Sequence, residues 1–230
     1  MRKLLEILFN AVFPSICLNC QKKFSNQALS PIICNECFQK IHINNGLYCP
    51  KCSRRLPEFK NKCHKNEKFI LAAATNYQDK SIRELIYALK YKSLKSAIPP
   101  LTKIVKLYLD KINFNKNESN IIIPIPLHHE RERKRGFNQS ELITKGIFDE
   151  KNIYKNILIR KINTLPQIEV KNFKDREKNI TDCFKIKNKE IIKNKDVILI
   201  DDIYTSGATI KEAVKILKIA QQIVQGEQEL

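Results

Sequence analysis

The sequence predicts an α/β fold preceded by a small cysteine-rich domain, and three stretches carry this prediction. Two apolar runs rich in β-branched residues, 121–125 and 197–200, have the composition of buried strands. The second run continues through a short polar loop into residues 210–220, where apolar residues recur at helical spacing. Such units build a mostly parallel sheet flanked by helices. Seven of the eight cysteines, in contrast, lie before residue 64.

Further strands and helices are predicted from the apolar pattern between these stretches. The predicted strands are residues 69–77, 120–125, 156–161, 182–187 and 196–201. The predicted helices are residues 81–92, 101–110, a helix that begins near 140, and 210–220. Residues 57–68 are polar and provide a boundary. We therefore expect an N-terminal helix and cysteine-rich domain over residues 1–66 and an α/β domain over residues 67–230.

The loop after the last predicted strand joins two carboxylates to a turn rich in hydroxyl groups. Its residues are Asp201, Asp202, Ile203, Tyr204, Thr205, Ser206, Gly207, Ala208 and Thr209. Open α/β sheets bind ligands at the carboxyl ends of their strands, and N–H groups of a loop and helix N-terminus can hold a phosphate. Two aspartates would repel a bare phosphate, so they suit ribose hydroxyls or a cation. A phosphorylated sugar fits all these groups, whereas an ordinary strand–turn–helix with solvated aspartates is the alternative.

The first two Cys-x-x-Cys pairs have the spacing of a tetrahedral zinc site. Each pair supplies two thiolates, and the four residues are Cys17, Cys20, Cys34 and Cys37. A disulfide framework would need an oxidising compartment, and nothing in the sequence indicates export. We expect zinc here to substitute for a hydrophobic core that so short a domain can hardly supply.

The third Cys-x-x-Cys pair gives a second candidate metal site. Its ligands would be Cys49, Cys52 and Cys63, with either His64 or His42 as the fourth. Cys63 and His64 are adjacent, and adjacent side chains rarely reach one ion together, so a degraded site is the alternative. The remaining cysteine, Cys183, stands in an apolar context and is predicted to be a buried small residue.

Charge and hydropathy restrict the classes of partner. The chain has 42 basic and 24 acidic residues, a net charge of +18, which favours polyanions such as nucleic acid or phosphorylated metabolites. The composition of an AT-rich genome explains the same lysines equally well. No apolar stretch approaches the ~20 residues that span a bilayer, and no signal-peptide cleavage site follows residues 1–13. We expect a cytoplasmic protein, with residues 4–12 forming a short helix that packs internally or contacts the inner face of the membrane.

A basic cluster follows the predicted strand 120–125. Arg131, Arg133, Lys134 and Arg135 carry four positive charges within five residues, and Gly136 allows a ligand to approach the backbone. A basic loop at the end of a strand can neutralise a pyrophosphate or a nucleic-acid backbone. A solvated basic turn is the alternative.

In their order along the chain, these motifs resemble the ComF family of competence-associated phosphoribosyltransferase-like proteins. The loop 201–209 resembles the phosphoribosyl pyrophosphate loop of type I phosphoribosyltransferases, with Ser206 where a second threonine is usual. The other matching segments are the cysteine pairs, Ala88–Tyr91, Pro124–Leu127, Arg133, Arg135–Gln139, Pro166–Gln167, Arg176 with Asn179, and Phe184. The resemblance covers residues 13 to about 217. It departs after that point, where the family usually continues into another apolar strand.

The resemblance implies a type I phosphoribosyltransferase-like sheet behind a zinc ribbon and a role in natural transformation. Incoming single-stranded DNA and proteins of the DNA-uptake machinery would be partners. Asp201 and Asp202 would face the ribose hydroxyls of phosphoribosyl pyrophosphate, and residues 205–209 its 5-phosphate. Arg133 and Arg135 would contact pyrophosphate or DNA.

Two classes of function remain open from the sequence. An active phosphoribosyltransferase of nucleobase salvage or nucleotide metabolism would displace pyrophosphate from the ribose with a nitrogen nucleophile. Magnesium would hold the diol and the pyrophosphate, and Asp201 and Asp202 would support the ribose. No nucleobase pocket and no general base can be assigned. The other class is a DNA-handling protein without catalysis, in which the same compound is a ligand or regulator.

Overall fold

The computed structural model describes residues 15–24, 30–57, 63–115, 120–165 and 173–226. Within these residues the helices are α1 (Asn35–Gln39), α2 (Lys80–Tyr91), α3 (Ile98–Lys111), α4 (His129–Arg135), α5 (Gln139–Lys145), α6 (Phe173–Ile180) and α7 (Ala208–Gly226). The strands are β1 (Ser15–Ile16), β2 (Lys23–Phe24), β3 (Leu47–Tyr48), β4 (Leu71–Ala72), β5 (Ile121–Pro124), β6 (Leu158–Arg160), β7 (Phe184–Ile186) and β8 (Val197–Ile200). The helix predicted over residues 4–12 lies outside the described residues.

The α/β class predicted from the sequence is confirmed. Strands β5, β6, β7 and β8 lie within the last four predicted strand segments, and α2, α3, α5 and α7 coincide with the predicted helices. The parallel part of the sheet is small. It consists of β5 and β8, with a further parallel bridge from Ile122 to Ile153.

Two strand pairings differ from a simple parallel sheet. Strands β6 and β7 pair with each other antiparallel, and β4 pairs antiparallel with β3. The predicted strand 69–77 shortens to Leu71–Ala72. Alanine is a weak strand former, which is consistent with the early end of this strand in its Ala72–Ala74 run.

The chain forms two compact units, and each is built from two separate segments. One unit comprises Met1–Asn45 and Ala74–Asn113, and the other comprises Gly46–Ala73 and Phe114–Leu230. The first two cysteine pairs thus belong to the first unit, and the third pair belongs to the second. The division at residues 66 and 67 stays a prediction about domains.

The first unit has its helical core between α2 and α3. Leu85 and Leu89 of α2 are fully buried. Ile104 and Tyr108 of α3 each expose 2% of their surface. Asp79 caps α2, because its carboxylate accepts hydrogen bonds from the backbone N–H groups of Ser81 and Ile82. The apolar face of each helix is therefore turned into this core, as its periodicity predicts.

The second unit packs α7 against a cluster of buried aliphatic residues from β5, β6 and the segments near β7. Ile123, Leu158 and Ala213 have no exposed surface in this cluster. In the parallel register of β5 and β8, Pro124 lies opposite Ile200. The segments that follow these two strands, 125–140 and 201–209, therefore start at one edge of the sheet. This register positions the candidate ligand site.

Cys183 is expected to be the cysteine least reactive towards alkylation in the folded protein. Its side chain is fully buried in the core of the second unit, and burial raises the pKa of its thiol to about 11. The thiol is therefore neutral at pH 8, whereas an unfolded cysteine is partly ionised there and reacts faster. Iodoacetamide labelling at pH 8, followed by mass spectrometry, should modify Cys183 only after unfolding in guanidinium. Equal labelling rates in folded and unfolded protein would contradict this burial.

Candidate ligand site and metal centres

The first two cysteine pairs converge in the structure. The sulfur atoms of Cys17, Cys20, Cys34 and Cys37 all lie within 4.8 Å of one another, and Cys20 Sγ is 3.9 Å from Cys34 Sγ. A zinc ion with Zn–S bonds of about 2.3 Å would separate the sulfurs of a regular tetrahedron by about 3.8 Å. The donor set and its spacing therefore fit structural zinc.

The surroundings of the first cluster favour a thiolate at Cys17 and oppose thiolates at Cys34 and Cys37. Burial raises the pKa of Cys17, but the backbone N–H groups of Cys20, Cys34 and Asn19 outweigh it and lower that pKa to about 6. Burial raises the pKa of Cys34, and it raises the pKa of Cys37 to about 12. Four thiolates cannot crowd together without a cation, so a divalent metal is the natural partner of this cluster.

The third cysteine pair lies together with Cys63 and His64 in the structure. Cys49, Cys52, Cys63 and His64 place one donor atom each within 4.8 Å of the others. Cys52 Sγ is 3.8 Å from Cys63 Sγ, and Cys49 Sγ is 3.4 Å from His64 Nδ1. These separations match the edges of a tetrahedron with three sulfurs and one nitrogen, about 3.8 and 3.6 Å. The structure thus groups His64, rather than His42, with the three cysteines, although His64 is adjacent to Cys63.

The acid pair lies directly after β8. The hydroxyl of Ser140 donates a hydrogen bond to Asp201 Oδ1 at 3.2 Å, and the backbone N–H of Asp202 donates to the same oxygen at 2.9 Å. Both aspartates are half-buried, whereas Thr205 in the same loop is exposed. The Asp201 carboxylate is therefore held in place at the carboxyl end of β8, and Thr205 in the following loop is open to solvent.

The loop then turns into α7 at Gly207. Gly207 has a φ of +72°, and its carbonyl accepts the first helical hydrogen bond, from Lys211 N–H at 2.8 Å. The hydroxyl of Ser206 lies 3.4 Å from the N–H of Ala208. Helix α7 spans 19 residues, so the partial positive charge of its N-terminus faces the loop. An anion bound in the loop would meet this charge.

Replacement of Gly207 by alanine is expected to distort the loop more than its backbone conformation alone requires. A Cβ at Gly207 would overlap the Tyr204 hydroxyl oxygen, whereas a Cβ at Gly136, with a φ of +84°, meets nothing within 4 Å. Gly136→Ala should therefore show only the left-handed backbone cost of about 1–2 kcal/mol. Urea unfolding should give a clearly larger loss for Gly207→Ala. Equal losses in the two variants would contradict the close contact with Tyr204.

Tyr204 connects this loop to the second cysteine cluster. Its hydroxyl donates a hydrogen bond to the backbone carbonyl of Pro50 at 3.0 Å, between Cys49 and Cys52. Burial, with smaller contributions from Glu67 and Cys49, raises the pKa of Tyr204. The hydroxyl is therefore a protonated donor at neutral pH. This hydrogen bond joins the loop 201–209 to the segment that carries two candidate metal ligands, Cys49 and Cys52.

The basic cluster forms a helix, which corrects the prediction of a loop. Residues His129–Arg135 make up α4, and Gly136 ends it in a left-handed conformation. Arg133 is exposed on this helix, whereas the guanidinium of Arg135 donates a hydrogen bond to the side-chain oxygen of Gln139. Contact of Arg133 and Arg135 with pyrophosphate or DNA stays a prediction.

The residues after α4 connect the carboxyl ends of β5 and β8. The side-chain amide of Asn138 donates to the carbonyl of Ile125 at 3.0 Å, and its oxygen accepts from Ser140 N–H at 3.0 Å. Ser140 is buried and contacts Asp201 as described above. The segment Arg135–Ser140 thus fixes the position of the acid pair relative to β5.

Arg160 is a further charged residue near the acid pair that the sequence analysis did not select. It ends β6, donates to the Thr164 hydroxyl, and lies 5.7 Å from the centre of the Phe184 ring. Burial lowers the pKa of Arg160, while Cys183 and Asp201 act in the opposite direction. A basic residue at the carboxyl end of a predicted strand was the signal that could have identified it.

Two other motif residues have structural partners. Asn179 makes two hydrogen bonds with the backbone of Leu165, at 3.0 and 2.8 Å. Phe184 is buried in the core of the second unit. Pro166 and Gln167 lie outside the described residues.

Among the residues that the structure describes, no helix has the length and apolar character needed to cross a membrane.

Comparisons with known proteins agree with this combination of features. A family described as the double zinc ribbon domain matches residues 8–66. Competence protein ComFC of Bacillus subtilis (strain 168) is 28% identical over 221 residues, which cover 88% of this chain and 88% of that protein. Competence protein F of Haemophilus influenzae is 35% identical over 101 residues, 42% of this chain and 43% of that protein.

The two cysteine clusters and the α/β unit define a protein with a zinc ribbon and a strand–loop–helix segment that carries an acid pair. The chain is similar to a competence protein over most of its length and to a second one over less than half. These relatives and the double zinc ribbon match support the resemblance to the ComF family that the sequence motifs indicate.

Proposed function

We propose that this chain is a competence-associated protein that binds phosphoribosyl pyrophosphate at the loop 201–209. The observation that carries the proposal is the acid pair at the end of β8, in which Ser140 holds Asp201, followed by a left-handed glycine and the N-terminus of α7. The carboxylates Asp201 and Asp202 suit the ribose hydroxyls. Thr205, Ser206, Gly207, Ala208 and Thr209 supply hydroxyl and N–H donors for the 5-phosphate.

Magnesium enters this proposal as the companion of the ligand. Pyrophosphate carries several negative charges, and a hard divalent cation binds its oxygens together with water and carboxylates. Arg133, exposed on α4, adds a cation on the segment that follows β5. The pyrophosphate end of the ligand would thus meet two cations, magnesium and Arg133, while the diol meets Asp201 and Asp202.

Natural transformation is the process in which we place this binding activity. Two similar proteins are named as competence proteins, and the net charge of +18 favours single-stranded DNA as a polyanionic partner. Proteins of the DNA-uptake machinery would be further partners. The site of action would be the cytoplasm, at the inner face of the membrane where incoming DNA emerges.

A calorimetric titration of the zinc-loaded protein with phosphoribosyl pyrophosphate and magnesium tests the ligand assignment. We expect saturable binding with one ligand per chain. Ribose 5-phosphate and pyrophosphate, titrated separately, should each bind more weakly, because each fills only part of the site. Tighter binding of pyrophosphate than of the complete ligand would overturn the assignment of Asp201 and Asp202 to the ribose.

A transferase reaction at the same loop is the second candidate function. The acid pair favours it, because carboxylates beside the ribose support positive charge that develops at the anomeric carbon. A nitrogen nucleophile would form the new C–N bond while the C–O bond to pyrophosphate breaks, and pyrophosphate leaves with that electron pair. Release of pyrophosphate upon addition of a nucleobase, lost in Asp202→Asn, would support the reaction. Binding without release from any nucleobase would favour the DNA-handling function.

A further inference from the structure

Helix α2 carries an exposed stripe on the side opposite to its buried face. The stripe consists of Arg83, Tyr87, Tyr91 and, just beyond the helix, Leu94, which are spaced three or four residues apart and are all exposed. Tyr87 and Tyr91 expose 50% and 53% of their surface, whereas the opposite, core-facing side of α2 is buried. We call these four residues the α2 stripe.

The two tyrosines of the α2 stripe form a paired aromatic surface. Their ring centroids are 5.0 Å apart, and the ring planes are inclined by 36°. Contact between the rings restricts each side chain, so less rotamer freedom is lost when a flat ligand binds. About half of each side chain nevertheless stays accessible to solvent. The pair therefore presents aromatic surface without hiding it in the core.

Positive charge lies beside the aromatic pair. Lys92 Nζ lies 5.7 Å from the centre of the Tyr87 ring, within the range of a cation–π contact. Between residues 80 and 95 the chain has five basic residues and one acidic residue, Glu84. The basic residues are Lys80, Arg83, Lys90, Lys92 and Lys95. Along the chain, Arg83 precedes the two rings and Lys92 follows them, so a polyanion would find basic residues before and after the aromatic pair.

We propose that the α2 stripe is a base-stacking site for single-stranded nucleic acid. Such sites combine aromatic side chains that stack on bases with cations that follow the phosphate backbone. A duplex hides the faces of its bases, so the tyrosines would contribute only with a single strand. This inference rests on the part of the proposed function in which the chain handles single-stranded DNA, and it names residues that contact the strand.

The test compares two double variants of the full-length, zinc-loaded chain. Tyr87→Leu/Tyr91→Leu keeps good helix formers and an apolar contact between the two positions, but it removes the rings. Tyr87→Phe/Tyr91→Phe keeps the rings and removes only the hydroxyls. The readout is fluorescence anisotropy of a labelled oligothymidylate of about 20 nucleotides, longer than the site of many single domains, at one fixed salt concentration.

The expected result is a loss of affinity in the leucine variant of about tenfold or more, with the phenylalanine variant close to the parent protein. Lys92→Gln should weaken binding and reduce the salt dependence, whereas the leucine variant should keep the salt dependence of the parent. These three results together would support a stacking site flanked by phosphate contacts.

Three outcomes would overturn the proposal. The leucine variant could bind the oligothymidylate as tightly as the parent, which would leave the stripe to a protein partner. It could lose affinity equally for single-stranded and duplex DNA, which would exclude base stacking. The parent could fail to bind the oligonucleotide at all. Phosphoribosyl pyrophosphate binding, measured on the same preparations, separates this last failure from a failure of the ligand loop.

Discussion

Replacement of Cys17 and Cys34 by serine is expected to remove one zinc ion per chain and to unfold the structure around the first cluster. The four cysteines of this cluster lie in short irregular segments: Cys17 follows the two-residue strand β1, Cys20 lies in the next turn, and Cys34 and Cys37 lie just before and within the five-residue helix α1. Structural zinc contributes about 10–16 kcal/mol to the folding of small zinc-binding peptides. The net stability of a typical domain is about 5–15 kcal/mol. So few packed residues cannot compensate for the loss of the metal.

Zinc content measured by mass spectrometry, together with thermal unfolding, checks this prediction. The parent protein should hold two zinc ions per chain, one in each cluster. Cys183→Ala is the matched control, because Cys183 belongs to neither cluster and its replacement should leave both ions bound. A serine double variant that keeps two zinc ions and the stability of the parent would contradict the proposed ligands.

Replacement of Asp201 and Asp202 by asparagine is expected to abolish the stabilisation that phosphoribosyl pyrophosphate gives to the protein. Each aspartate would accept hydrogen bonds from a ribose hydroxyl, and hydrogen bonds to charged groups contribute about 1.5–3 kcal/mol each. Loss of both charges should weaken binding at least about 100-fold. Asparagine keeps an acceptor oxygen for Ser140, so the fold of the loop should survive.

The midpoint of thermal unfolding, with and without the ligand and magnesium, measures this effect. A ligand that binds only the folded state raises the midpoint, and the double variant should show no such rise. Asp196→Asn provides the matched control, because Asp196 is exposed just before the opposite end of β8 and the substitution also removes one carboxylate. A ligand-induced rise of normal size in the double variant would exclude the acid pair from the site.

The sequence predicts the positions of most elements because apolar periodicity determines which faces are buried. The strands β5 and β8 and the helices α2, α3 and α7 lie at the predicted positions. The pairing of strands depends on contacts between distant segments, so periodicity could not indicate that β6 and β7 pair antiparallel. The division of the cysteine pairs between two compact units is likewise a property of long-range contacts.

Helix α4 carries a local helix signal in its charge order, beside the density of basic residues that favours a ligand loop. Acidic residues occupy its first turn, basic residues its last turn, and Gly136 follows in the left-handed conformation. This charge order complements the helix dipole and glycine is the usual residue at such an end. The density of the basic residues favours a ligand loop, whereas their position before Gly136 favours the end of a helix. The structure has the helix.

The candidate site was predicted more completely for its loop than for the residues that support it. Asp201, Asp202 and Gly207 lie in one continuous stretch, so the order of residues in that stretch is enough to predict them as site residues. Ser140, Asn138 and Tyr204 act through contacts with distant partners: Asp201, Ile125 and Pro50. Only the folded chain brings these pairs together.

Hydrogen exchange of the backbone amides, with and without saturating phosphoribosyl pyrophosphate and magnesium, reports directly whether the ligand binds at the loop 201–209. Binding at this loop predicts slower exchange in the ligand-bound protein for amides of residues 203–209 and for the first turn of α7, with no comparable change in α2 or α3. Saturable binding that protects other segments and leaves residues 203–209 unchanged would contradict it.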